Sequence, residues 1–328
     1  MGGRRLPHAM RLRLYRRVLE LHNGGMSYRK IQKIIEGEYG VKISRSHISY
    51  WVRGIHVPER EPYNVPDLSK REELAWIAGM YAGDGSIKVN RKGRFLSLKV
   101  KDRELAEAAA RKLSILMGRE KPYFVGKLSD GRYYVEIQSR ELIDVLIERS
   151  NVLNLLEERP VEFIQAFFDC EGYVTGLVSS QGSFLARIGV SNTDYDLMEK
   201  IKERLADLGV FGEIYMVHSR GKVIETSKGR SIARRNCYTL EVYRRDAIIR
   251  FHDRMKLFTV RKQEKLKDVV DILTRFGLGR RAAVEWIRRY EYRRGMGRQR
   301  WFRRKRFLDW EDALEEYERF LIGRKSNH

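Results

Sequence analysis

Two acidic residues, each followed by glycine, are the clearest candidates for chemistry. Asp84 is the penultimate residue of IAGMYAGDG (residues 77–85), and Glu171, 87 residues later, has the same place in IQAFFDCEG (residues 164–172). If the fold brought these carboxylates together, they would repel each other strongly unless a divalent cation neutralised them. Carboxylate oxygens favour Mg²⁺ or Mn²⁺. The structural alternative is that an acid followed by glycine is also a common transition from helix to turn.

The same order of elements follows each motif. Apolar periodicity predicts helix, strand, strand, helix, strand, strand, helix, in halves at about 70–155 and 156–273. The segments RYYVEIQSRELI (132–143) and CYTLEVYRRDAI (237–248) align side by side. We therefore expect an α+β fold with a duplicated αββαββα core and pseudo-twofold symmetry.

These paired motifs resemble those of the LAGLIDADG homing endonucleases, in the archaeal form with two motifs in one chain. The resemblance covers about residues 70–273 and includes both motifs and the order of strands. It implies that the two motif helices pack along the pseudo-twofold axis, where small residues allow close approach: Ala78, Gly79, Ala82, Gly83 and Ala166. It also implies that Asp84 and Glu171 are catalytic metal ligands, with Mg²⁺ as cofactor and Mn²⁺ as a substitute.

Strand alternation selects further candidates. In the strand at 95–101, apolar residues alternate with Lys99 and Lys101, so the lysines are expected on the side away from the helices. By resemblance that side cradles DNA, and Lys101 resembles the family's catalytic lysine, which serves water activation or stabilises transition-state charge. A merely solvated lysine is the alternative. The second half offers Arg187 on its outward face but no matching lysine.

The charge of the chain favours a nucleic acid as partner. The 328 residues include 66 Lys and Arg against 44 Asp and Glu, for a formal net charge of +22. Residues 1–60 hold 13 basic and 4 acidic residues, and residues 274–328 hold 16 and 8. Surface ion pairs of a heat-stable protein would explain many charges but not this excess. The resemblance implies that the partner is double-stranded DNA.

Composition also excludes several classes of protein. Hydrophobic residues make up 42% of the chain, enough for folded cores, and no apolar run approaches the roughly 18 residues that span a bilayer. Two cysteines, Cys170 and Cys237, rule out a disulfide framework or a cysteine-based zinc site and fit a reducing compartment. We therefore expect a cytoplasmic protein without membrane contact.

Three domains are expected. Residues 1–60 show three short helical patterns and resemble a helix-turn-helix domain, although a mere packing domain is the alternative. Residues 61–273 form the endonuclease core, and residues 274–328 a basic helical extension. In the third N-terminal helix, the outward residues are the candidates for reading base edges: Arg45, Ser46, Ser49, Tyr50 and Arg53.

Further basic residues are expected to line a DNA-binding surface across both halves. In the first half they are Lys88, Arg91, Lys92, Arg94, Lys99 and Lys127, and in the second Arg187, Arg230, Arg234 and Arg235. The segment 219–235 is predicted as a loop, either a DNA-contacting arm or an ordinary mobile loop. In the C-terminal extension, helices are predicted at 285–292 and 310–321. Its interleaved arginines and aromatic residues suit either phosphate clamping and base stacking or a cap on the core.

The resulting hypothesis is a monomeric, sequence-specific DNA endonuclease acting at a long asymmetric site. By resemblance it would cut both strands across the minor groove and leave short 3′ overhangs, and a free-standing reading frame is expected rather than an intein. Two alternatives stay open, namely a non-cleaving DNA-binding regulator and a maturase that binds group I intron RNA. Metal-dependent cleavage of DNA would favour the endonuclease over the regulator. Tight binding of structured RNA would favour the maturase.

Overall fold

The computed structural model describes residues 6, 8–55, 57–58, 65–90, 93–226, 229–293 and 301–325. The chain divides into two compact units, Met1–Asn64 and Val65–His328. Each unit has a hydrophobic core of its own. None of the helices in the described ranges combines the length and the apolar character needed to cross a bilayer.

The smaller unit contains three helices: α1 (His8–Asn23), α2 (Tyr28–Tyr39) and α3 (Arg45–Val52). Ile31, Ile35 and Ile48 are completely buried between them. The Ser44 hydroxyl accepts a hydrogen bond of 3.2 Å from the His47 backbone N–H and so caps α3, since the first N–H groups of a helix lack partners within the helix. Ile48 and Trp51 place one side of α3 in the core, while the other side faces solvent.

The larger unit contains the predicted order of elements twice, with two further strands inserted in the second half, which confirms the duplicated core. The first half comprises α4 (Arg71–Asp84), β1 (Gly85–Asn90), β2 (Gly93–Val100), α5 (Arg103–Leu116), β3 (Gly126–Lys127), β4 (Tyr133–Ile137) and α6 (Arg140–Ile147), and α7 (Arg149–Glu158) follows. The second half comprises α8 (Pro160–Glu171), β5 (Gly172–Val178), β6 (Phe184–Asn192), α9 (Tyr195–Asp207), β7 (Glu213–His218), β8 (Val223–Thr226), β9 (Gly229–Ile232), β10 (Cys237–Val242) and α10 (Arg245–Arg254).

Each half forms a four-stranded antiparallel sheet of the same topology, with strand orders β1-β2-β4-β3 and β5-β6-β10-β7. In both halves the motif helix ends at its acid and a strand begins at the next residue. Gly85 pairs with Leu98 in one sheet, and Gly172 pairs with Val190 in the other. Each acid is therefore placed at the junction between a core helix and an edge strand.

The segment 219–235 is not the loop that the sequence predicts. Within it, β8 and β9 form a two-stranded hairpin, in which Val223 pairs with Ile232 and Glu225 with Arg230. The Arg230 guanidinium lies 3.4 Å from the Glu225 carboxylate across the two strands. Branched apolar residues at Val223, Ile224 and Ile232 favour strands here. The described part of the insertion is therefore a two-stranded arm whose side chains are mostly exposed.

The C-terminal elements are α11 (Val260–Phe276), α12 (Arg280–Arg289), β11 (Tyr290–Tyr292), β12 (Trp301–Arg303) and α13 (Trp310–Lys325). The helix predicted at 285–292 is wrong in its last three residues, because Tyr290–Tyr292 form a strand instead. This strand pairs with β12, which lies outside the segment 285–292, so the helical periodicity of that segment does not reveal the pairing. The expected boundary at residue 273 lies inside α11.

Much of the C-terminal segment is packed against the second half. Trp286 of α12 is completely buried, stacks on Tyr290 with ring centroids 3.9 Å apart, and lies 5.4 Å from the ring of Phe184. Arg289 forms ion pairs of 3.0 Å with Asp268 and 2.6 Å with Glu285. These contacts join α12 to α11 and to the second sheet, so Trp286 and Tyr290 belong to the core, whereas Phe302, Phe307 and Trp310 are exposed.

Candidate functional site

The two motif helices pack so closely that their backbones touch. A Cβ atom at Gly79 of α4 would lie 2.2 Å from the Phe163 carbonyl oxygen and 3.1 Å from the Ala166 Cβ on α8. A Cβ atom at Gly83 would lie 2.6 Å from the Cys170 Cβ. Distances this short exclude any side chain, so glycine is needed where the helices approach. The seam continues to the last turn of both helices and so brings the ends that carry the acids together.

The two acids influence each other electrostatically. Loss of hydration and, to a smaller extent, the negative charge of Asp84 raise the pKa of Glu171 to about 7, against the opposing charge of Lys262. Asp84 keeps an exposed edge, yet the protein atoms around its carboxylate raise its pKa by desolvation. The charges of Lys262, Arg132 and Lys101 oppose that rise. Acids from two different halves of the chain thus share one electrostatic site.

This donor set fits a hard divalent cation. Both carboxylates are partly desolvated, and their negative charges repel each other when both are ionised, so their pKa values are raised. A bound divalent cation would offset this repulsion and favour the ionised forms. Over the described ranges, no cluster of three or more His, Cys, Asp or Glu side chains could hold a metal. Asp84 and Glu171 would therefore hold such an ion with water and substrate oxygens as the other ligands.

Lys262 is a residue of this site that the sequence interpretation missed. It lies in the first turn of α11, is 6% exposed, and its Nζ donates hydrogen bonds to the carbonyl oxygens of Phe168 (3.0 Å) and Asp169 (2.6 Å) in the last turn of α8. Burial lowers its pKa. The sequence does contain a signal for this residue. Lys262 lies on the same helical face as Leu266 and Val269, so a charged residue stands among apolar ones.

Three of the basic candidates of the first half lie near an acid or an aromatic ring. Lys88 pairs with Glu136 at 2.8 Å and Arg94 with Asp144 at 2.7 Å. Lys127 lies 5.7 Å from the ring centroid of Tyr133. Lys99 is partly buried and Lys101 is exposed at the end of β2, while Arg91 and Lys92 lie outside the described residues. Of these candidates, Lys101 is the one whose charge acts on Asp84.

In the second half, Arg187 lies 3.2 Å from Glu241, a carboxylate that is nearly buried and also accepts a hydrogen bond from the Tyr173 hydroxyl. Arg230, Arg234 and Arg235 are exposed on or beside the arm formed by β8 and β9. In the smaller unit, the residues predicted to read bases lie on the solvent side of α3, with Ser49 partly covered: Arg45, Ser46, Ser49, Tyr50 and Arg53. The structure thus groups Asp84, Glu171 and Lys101 in the larger unit and these five residues in the smaller one.

Comparison with known proteins agrees with this architecture. The family model described as a LAGLIDADG-like domain matches residues 71–151 and 158–256, which together make up more than half of the chain. The uncharacterized protein MJ0398 of Methanocaldococcus jannaschii is 28% identical over 264 residues, which cover 79% of this chain and 94% of that protein.

Two solved structures are also similar. Mesophilic variants of the homing endonuclease I-DmoI align with 56% of this chain and 96% of theirs, at a TM-score of 0.41 and 17% identity. The LAGLIDADG meganuclease I-AabMI bound to uncleaved DNA aligns with 64% of this chain and 95% of its own, at a TM-score of 0.43 and 12% identity. On the match of the family model to both halves, together with the duplicated fold and its paired motif helices, this chain belongs to the LAGLIDADG-like family.

Proposed function

We propose that this protein is a sequence-specific endonuclease that hydrolyses both strands of DNA at a long asymmetric site. The observation that carries the proposal is the coupling between Asp84 and Glu171, each at the end of one motif helix and each with a raised pKa. Two acids without a cation are a costly arrangement in a folded protein, so the presence of one acid at the end of each motif helix supports a working metal site. Both motifs lie in one chain, so a monomer suffices.

In this proposal Asp84 and Glu171 hold Mg²⁺, for which Mn²⁺ can substitute. Such ions lower the pKa of bound water and stabilise a developing negative charge on the leaving oxygen. The chain itself supplies the rigid seam that fixes both carboxylates. Lys101, exposed at the strand end beside Asp84, is placed to orient water or to stabilise charge on the scissile phosphate.

The DNA would lie across the outward faces of the two sheets and reach the arm of β8 and β9. Ion pairs such as Lys88–Glu136 would exchange their carboxylate for a phosphate, because surface pairs contribute little to stability. The smaller unit would add a helix-turn-helix contact through α3, with Arg45 and Arg53 as the charged residues. Residues 1–60 and 61–273 would thus be the DNA-recognition and cleavage domains, with 274–328 completing the core.

Substituting both Arg45 and Arg53 by Ala is expected to lower the affinity for DNA and to make that affinity less dependent on the salt concentration. If about eight phosphates are neutralised in all, log K should fall with log salt at a slope near −7, and each lost phosphate contact should reduce that slope by about 1. Fluorescence anisotropy over a salt series measures both quantities. Replacing the exposed Arg111 and Arg319 by Ala removes the same charge from the larger unit and serves as the control. Equal slopes in both double variants would contradict a role for α3 in DNA contact.

Metal-free protein is expected to lose stability as the pH rises from 6 to 8. The pKa of Glu171 is raised from 4.5 to about 7, so the folded chain holds this proton more tightly than the unfolded chain does. The resulting stabilisation is complete below the unfolded-state pKa and declines as the pH passes through 7, by about 1 kcal/mol between pH 6 and 8. Thermal unfolding with a chelator should show a decline in Tm that Glu171→Gln removes. Mg²⁺ should offset the decline more at pH 8, because metal binding displaces the proton.

Cleavage of a randomised plasmid library tests the proposed function directly. The full chain is incubated with the library in Mg²⁺, in Mn²⁺ and in a chelator, and the ends of linear products are sequenced. Metal-dependent double-strand breaks at one recurring sequence are expected. Binding to DNA without cleavage under any metal or temperature would favour the non-cleaving regulator, and preference for structured intron RNA would favour the maturase.

A further inference from the structure

The end of motif helix α8 and the start of α11 are locked together by reciprocal contacts. The Lys262 Nζ donates to the carbonyl oxygens of Phe168 and Asp169 and reaches that of Cys170 at 3.5 Å. In return, the Asp169 carboxylate accepts hydrogen bonds from the backbone N–H groups of Phe258 (2.8 Å) and Thr259 (2.9 Å). Each charged side chain thus binds backbone groups at the end of the other helix, and the Phe168 carbonyl oxygen accepts from the Gly172 N–H as well.

These contacts act on the three residues that directly precede Glu171. Carbonyl groups in the last turn of a helix have no partner within the helix and carry partial negative charge. A buried cation that binds two of them fixes the backbone from which the Glu171 side chain emerges. It also places a positive charge near enough to influence Glu171 itself. A buried lysine without such partners would be costly, so the arrangement depends on α8 ending at this point.

The strand end of the second half lacks its own cation. In the first half, Lys101 follows β2, and its charge acts on Asp84. The corresponding end of β6 carries Ser191, which shares a hydrogen bond of 2.7 Å with Thr239, and Asn192, which accepts one of 2.9 Å from the Asp194 N–H. Both are neutral. Lys262, which lies beyond the matched segment 158–256, brings a positive charge to this half from a different element.

We propose that Lys262 is the positioning residue of the second half, holding Glu171 in the geometry needed to cut one of the two DNA strands. In the first half, Lys101 supplies the positive charge near Asp84 and acts on water or the scissile phosphate, as proposed above. The inference rests on the proposed endonuclease function. It predicts that each lysine supports the cleavage of a different DNA strand. Loss of one lysine should therefore leave an enzyme that mainly nicks the strand that the other lysine serves.

The test measures the cleavage of each strand separately by the full chain. A duplex with the selected target carries a different label on each strand, and denaturing gels follow both cuts with time in Mg²⁺. Lys262→Gln keeps an N–H donor but removes the charge, and it should slow one strand by about 10–100-fold, as loss of a supporting contact to a metal ligand does. Lys101→Met should slow the other strand. Lys262→Arg, which restores a charged donor, should bring the ratio of strand rates back toward that of the wild type.

Lys265→Gln is the matched control. Lys265 lies one turn further along α11, is largely covered, and donates to the Trp301 carbonyl oxygen at 3.4 Å, away from the motif. Its loss should leave the strand ratio unchanged, even if Tm falls. Equal slowing of both strands by Lys262→Gln, or no slowing, would overturn the assignment while leaving the endonuclease intact. Failure of the wild type to cut at all would overturn the proposed function, and this inference with it.

Discussion

Asp84→Asn and Glu171→Gln are each expected to abolish double-strand cleavage while leaving DNA binding intact. Each substitution keeps the shape of the side chain but removes the charge that holds the metal. Loss of a metal contact that stabilises transition-state charge by several kcal/mol slows a reaction by about 10²–10³-fold or more. The rate of linearisation of a plasmid carrying the selected target measures this loss, and anisotropy in Ca²⁺ measures binding.

Asp207→Asn is the matched control for these two variants. Asp207 is an exposed acid at the end of α9 that pairs with Arg204 at 3.0 Å, so its substitution removes one negative charge outside both motifs. Its cleavage rate should equal that of the wild type. Cleavage at wild-type rates by both Asp84→Asn and Glu171→Gln would show that the two motif acids are not the metal ligands, and the proposed site would then have to be abandoned.

Gly79→Ala is expected to be the most damaging methyl addition in the larger unit. The new Cβ would lie 2.2 Å from the Phe163 carbonyl oxygen, which belongs to the rigid backbone of α8, so the two motif helices would have to separate. Overpacking typically costs about 1–3 kcal/mol, and a clash with backbone lies at the upper end of that range. For a unit of this size the Tm should fall by about 6–12 °C. Cleavage should fall as well, because separation of α4 and α8 also separates Asp84 from Glu171.

Gly37→Ala provides the opposite case. Gly37 lies inside α2, and nothing lies within 4 Å of the position its Cβ would occupy. The same substitution should therefore stabilise the smaller unit, by up to about 1 kcal/mol, because alanine favours the helix. Calorimetry of the full chain should show the two changes in separate transitions, since the chain has two compact units. A loss of less than 1 °C for Gly79→Ala would contradict the tight seam.

The sequence alone predicted the features that depend on neighbouring residues. Helical periodicity predicted α4 and α8, alternation predicted most strands of the two sheets, and glycines after acids indicated where the motif helices end. The sequence repeat predicted the duplicated core, because two segments with the same pattern of elements are expected to adopt the same fold. Asp84 and Glu171 were likewise accessible from sequence, since the type of residue and the place in the repeat select them before any contact is known.

Only the tertiary structure decided the features that depend on distant partners. Lys262 meets Phe168 and Asp169, more than 90 residues away in sequence. Tyr290–Tyr292 become a strand because Trp301–Arg303 pair with them, and Arg289 of α12 forms an ion pair with Asp268 of α11, 21 residues earlier in sequence. The local sequence pattern shows which side of a helix or strand is apolar. The tertiary fold determines which residues pack against that side. The apolar helical face that Lys262 shares with Leu266 marks this lysine in the sequence, but the groups that its charge contacts are known only once the fold is assembled.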